Sequence, residues 1–152
     1  SKAVGSCAAL RKLHLTFDEP HALASISDLG GGLGQLLALE SLTLDFLDCP
    51  KLTSITGLTR GISCLPILIN LDLTLYTCEA LEDIGGLGSC LAGKTSLRTF
   101  RLRVQGCLRL TEVDELCFGR ELAGLSSLTL LLVENPGLQQ VNELCRSIRH
   151  LV

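Results

Sequence analysis

Residues 39–46 read LESLTLDF, and the phrase recurs. LRKLHLTF begins at Leu10, LINLDLTL at Leu68 and LRTFRLRV at Leu97, so four copies stand 29 residues apart. A fifth, LTLLLVEN, begins at Leu128 after a step of 31. A period in this range means stacked units, because one unit alone cannot bury its apolar face. Within each copy the residues three, five and seven places after the first Leu are apolar, as Leu42, Leu44 and Phe46 are. That alternation predicts a strand with one face on a core. The stretch that follows places Leu52, Ile55, Leu58, Ile62 and Leu65 at steps of three and four. That spacing predicts a helical return. Strands joined through such crossovers must run parallel. Glycines crowd the first return (Gly30, Gly31, Gly32, Gly34) and the third (Gly85, Gly86, Gly88), which predicts short or irregular helices and close helix–strand packing. No phosphate-binding loop is spelled, since GGGLG lacks the required spacing and no Gly-Lys-Ser/Thr follows.

The 152 residues fit one domain, 1–152. A net charge of −3 gives no footprint for nucleic acid, which calls for a basic stripe. No apolar run reaches the ~20 residues of a membrane-spanning helix. The high mean hydropathy, +0.42, reflects leucines fixed at inward phases. Of eight cysteines, Cys49, Cys78 and Cys107 fall at one phase of the repeat, and Cys117 and Cys145 both follow a Leu of the return. Cysteines in register read as small core residues with free thiols, which places the chain in a reducing intracellular compartment. Stacking leaves individual disulfides open. Three histidines and no Cys-x-x-Cys point away from a metal site.

Alternation also turns one set of side chains outward. Asp45 and Leu47, Asp72 and Tyr76, and Arg101 and Arg103 come from three consecutive copies. The 29-residue alignment sets Asp72 beside Arg101, and Arg103 beside Glu134. Two readings compete for the charges: exposed ion pairs that keep the sheet soluble, or a strip that selects a partner. Leu47 beside Tyr76 adds an apolar anchor. The fifth strand is apolar on both faces. Counting from Leu128 turns Leu130 and Leu132 outward; if Asn135 sets the register instead, Leu131 and Val133 face out. Partner-binding residues are therefore expected at Asp45, Leu47, Asp72, Tyr76, Arg101, Arg103, Leu130, Leu132 and Glu134. Catalytic residues and a cofactor are not expected. His14 faces Thr43, with Asp72 one strand further, beyond direct hydrogen-bond reach. Glu79, Glu82 and Asp83 precede a return, where acidic residues complement a helix N-terminus.

Leu-x-x-Leu-x-Leu strands at this period resemble the leucine-rich-repeat family over almost the whole chain. LTLDFLDCPKLTSI is most similar to its cysteine-containing subclass, with two extra residues between strand and Cys. The resemblance implies an α/β, right-handed solenoid with a parallel concave sheet and short helices on the convex side. It further implies protein binding on the concave face and no intrinsic catalysis. A structural subunit held in a larger assembly through its ends is the alternative. The substrate receptor of a ubiquitin ligase, a common task of the subclass, would need an adaptor-binding domain outside these residues. Val4, Cys7 and Leu10 carry the phase of a preceding return, and Leu144, Ile148 and Leu151 that of an unfinished one. Both ends are thus expected to be covered by further repeats or another subunit.

Overall fold

The computed structural model describes residues 9–113, 116, 124–139 and 141. Expectations for Val4, Cys7, Cys117, Leu144, Cys145, Ile148 and Leu151 lie outside them. Five strands, β1 (Lys12–Asp18), β2 (Ser41–Leu47), β3 (Asn70–Tyr76), β4 (Thr99–Gln105) and β5 (Ser127–Val133), form one parallel sheet in sequence order. Each holds seven residues with inward positions at Leu13, Leu42, Leu71, Phe100 and Leu128, which line up in one row. Leu42, Leu44, Phe46, Leu71, Leu73, Leu75, Phe100, Leu102 and Val104 are fully or almost fully buried. At the β1 edge Phe17 stacks on Phe46 with ring centroids 5.0 Å apart.

The returns carry short helices, α1 (Ser27–Leu33), α2 (Thr56–Ser63) and α3 (Leu87–Leu91). Their apolar positions, Leu52, Ile55, Leu58, Ile62 and Leu65 in the second return, complete the same core. The glycines serve a contact that spacing did not indicate. A Cβ on Gly30 would stand 1.9 Å from the Gly57 carbonyl oxygen, and one on Gly61 would stand 2.1 Å from that of Gly30. Successive helices α1 and α2 therefore touch backbone to backbone, which corrects the expectation of helix–strand packing. Gly31, by contrast, faces open space.

Two backbone devices repeat from unit to unit. The carbonyl before each of the first four strands accepts two N–H groups of the next unit: Arg11 from Glu40 and Ser41, Glu40 from Ile69 and Asn70, Ile69 from Arg98 and Thr99, and Arg98 from Ser126 and Ser127. After each strand comes one residue at positive φ: Glu19, Asp48, Thr77, Gly106 and Glu134. The first four of these donate their N–H to the last carbonyl of the next strand, at Leu47, Tyr76, Gln105 and Val133. Sheet pairing thus continues one residue past the strand while the chain turns toward its return.

β5 settles the register that its sequence left open. Leu128 lies opposite Phe100, not opposite Leu97, so the last step is 28 residues and the unit begins at Leu125. Asn135 supplies the physical reason. It occupies the place of Cys107 one unit on, where its Oδ1 accepts the Cys107 N–H at 3.0 Å and its Nδ2 donates to the Val104 carbonyl at 2.9 Å. Two directed bonds fix what a strand apolar on both faces could not. Leu130 and Leu132 consequently pack against the core. The expectation that these two side chains face outward is overturned, and Leu131 and Val133 are exposed in their stead.

The in-register cysteines Cys49, Cys78 and Cys107 are fully buried, and with Cys64 and Cys90 they are free thiols. The Cys78 thiol is pushed up by its hydrogen bond with Cys107 and by burial. Its Sγ reaches the Phe46 carbonyl of the previous unit at 3.7 Å.

Candidate functional site

No described element covers the outward face of the sheet, and its side chains fall in rows set by the register. One row runs His14, Thr43, Asp72, Arg101, Thr129; the next runs Thr16, Asp45, Thr74, Arg103, Leu131; the third runs Asp18, Leu47, Tyr76, Gln105, Val133. Charge changes along the chain direction. Asp18, Asp45 and Asp72 lie on the first three strands, both arginines on β4, and Leu131 and Val133 on β5.

Asp72 and Arg101 meet as expected, with Nη1 donating to Oδ2 at 3.0 Å. The same carboxylate also takes Arg103, whose Nη1 donates to Oδ1 at 3.4 Å and to Thr74 Oγ1 at 3.4 Å. Arg103 does not meet Glu134, because the one-residue shift of β5 puts Leu131 opposite it. Glu134 sits beyond the strand at φ 55°, where its Oε2 accepts Gln105 Nε2 at 2.9 Å. Leu131 is 45% exposed, Val133 43% and Tyr76 42%. Leu47 is half-buried beside Tyr76.

Reading straight across strands missed the diagonal. His14 Nε2 lies 2.7 Å from Asp45 Oδ2, one strand over and two residues along, within the reach of diagonal neighbours. Thr16 Oγ1 lies 3.3 Å from the same Nε2 and 3.4 Å from the same Asp45 oxygen. A nucleophile relay needs the carboxylate on one ring nitrogen and the hydroxyl on the other. Here both meet a single nitrogen, so the cluster is an exposed hydrogen-bonded pair with a hydroxyl beside it. Among the described residues no group of three or more His, Cys, Asp or Glu is placed to hold a metal ion. No helix of the described residues is long and apolar enough to cross a membrane.

On the side of the returns, a cleft of about 330 Å³ opens between α1 and α2, floored by Gly30, Gly57 and Gly61 and flanked by Gln35, Arg60 and Cys64. Among the described residues that line it, the Arg60 guanidinium is the only charged group, and no reacting pair faces it. Nearby, a buried ammonium is structural. Lys94, 7% exposed, donates from Nζ to the carbonyls of Ser63 and Leu65, each at 2.7 Å. Burial lowers its pKa, against the opposing pull of Cys90 and Cys64. It caps the Ser63 carbonyl at the end of α2 and the Leu65 carbonyl just beyond, where a cation complements the helix dipole.

No protein-family model matches the chain, and neither a curated protein nor a solved structure matches it.

Proposed function

We propose that the chain is a right-handed leucine-rich-repeat solenoid whose outward sheet face is concave and binds a protein partner without catalysis. The observation that carries this reading is the outward face of β3 to β5. Two arginines sharing one carboxylate stand next to exposed Leu131, Val133 and Tyr76, with no described element over them. Aromatic and arginine side chains beside aliphatic ones are the residues that supply most binding energy at protein interfaces. The leucine cadence and the step of 29 residues support the family reading, and the five free thiols among the described residues fit a reducing intracellular setting.

Site-specific photo-cross-linking tests the face. A photoreactive residue replacing Tyr76 is expected to form covalent adducts with a partner in native extracts, whereas one replacing Arg60 on the return side gives none. Adducts from Arg60 alone would favour a subunit held through its other surfaces and would remove the open-face reading.

A further inference from the structure

Charge on β3 and β4 does not balance. One carboxylate, Asp72, is divided between two guanidinium groups, its Oδ2 accepting from Arg101 and its Oδ1 from Arg103. A guanidinium carries five N–H donors in a planar fork. Among the described residues only Nη1 of each is engaged, that of Arg101 on Asp72 and that of Arg103 on Asp72 and Thr74. Both side chains remain 40% and 41% exposed. The other carboxylates of the region are committed elsewhere, Asp45 to His14 and Glu134 to Gln105. On β5, Thr129 faces Arg101 and Leu131 faces Arg103, so that strand brings no charge to the pair. An under-neutralised cationic pair thus stands one strand spacing, ~4.8 Å, from exposed aliphatic side chains.

We propose that this part of the open face takes an acidic segment of a partner protein: an extended stretch in which an Asp or Glu carboxylate lies on Arg101 and Arg103, and an aliphatic or aromatic side chain one or two residues away lies on Leu131 and Val133. The proposal rests on the open-face reading above and adds the chemistry of the partner. A carboxylate matches the guanidinium fork with two parallel N–H···O bonds. An extended chain advances ~3.3 Å per residue, so one or two residues span the step from the arginines to the β5 row. A polyanion such as nucleic acid fits less well, because Asp18 and Asp45 share the face and the net charge is −3.

A random dodecapeptide library displayed on phage, panned against the wild-type chain, tests this. Two variants serve as counter-targets, Arg101→Gln with Arg103→Gln, and Leu131→Asp with Val133→Asp, each checked for native fold by circular dichroism. The expected outcome is enrichment of Asp or Glu within two residues of Leu, Ile, Val, Phe or Tyr. Binding of the selected peptides to the arginine variant should fall at least about tenfold, as losing charge-assisted hydrogen bonds requires. Peptides that depend on Leu131 and Val133 but carry no acidic residue, or keep full binding to the arginine variant, would overturn the acidic-segment proposal and leave the open-face reading standing. No enrichment, or enrichment indifferent to both variants, would overturn the two together.

Discussion

Lys94 stands in the row of Leu36 and Leu65, and its ammonium donates 2.7 Å to the carbonyl of Leu65 itself. A lysine has taken a leucine's place in the core and answers to the backbone of the preceding unit. Because burial lowers its pKa below 10.5, the native chain holds fewer protons than the unfolded chain between that lowered value and 10.5. In that window stability contributed by Lys94 rises with pH. Relative to Lys94→Met, the wild-type chain should gain stability between pH 7 and pH 10. Urea midpoints of both proteins at the two pH values measure it; parallel curves would show that the ammonium is solvated.

The buried Cys90 thiol acts in the opposite direction. Burial pushes Cys90 from 9.0 up to about 12, with Lys94 opposing. Above pH 9 the unfolded chain loses this proton while the native chain keeps it. Stability fully present below pH 9 is therefore lost as pH climbs toward 12. Cys90→Ala should flatten that decline, read as the fall in thermal midpoint between pH 8 and pH 10.5.

Two glycines, one in α1 and one in α2, should respond with opposite sign. Gly61→Ala drives a methyl into the Gly30 carbonyl and should cost about 1–3 kcal/mol or separate the helices. Gly31→Ala meets nothing and should gain up to about 1 kcal/mol from helix propensity. Chemical denaturation of the pair decides, and equal effects would contradict the helix contact.

Asn135→Ala removes both side-chain bonds that set the register after β5 and leaves the Cys107 N–H and Val104 carbonyl without those partners. The expected loss is about 1–3 kcal/mol. Asn135→Cys should recover part of it, because Cys49, Cys78 and Cys107 fill this place in three earlier units. Amide exchange of β5 gives a local readout, with faster exchange at Leu130 and Leu132 in the alanine variant only.

What was legible in the sequence followed from periodicity. Leu42, Leu71 and Phe100 share a row, the returns bury the leucines and isoleucines their spacing marked, and Asp72 meets Arg101. Three features escaped for separate physical reasons. β5 has no polar side to mark its faces, so its register depended on the side-chain amide of Asn135, and the leucines assigned to the surface were the wrong pair. His14 reached Asp45 diagonally, which a count along straight rows does not see. The contact of α1 with α2 depends on backbones approaching where side chains are missing, and an apolar pattern carries no signal for it. Lys94 had left a mark: a charged residue where the earlier units place leucine.

The shared carbonyls of Arg11, Glu40, Ile69 and Arg98 each grip the following unit through two main-chain N–H groups, to which Arg98 adds the Ser126 hydroxyl. No side chain is needed at that joint, so its chemistry is indifferent to which residues a coil displays. A coil duplicated or excised at the common spacing would meet the same donors and acceptors at its new borders. The array can change length, and so redraw the face it displays, without redesigning the seams.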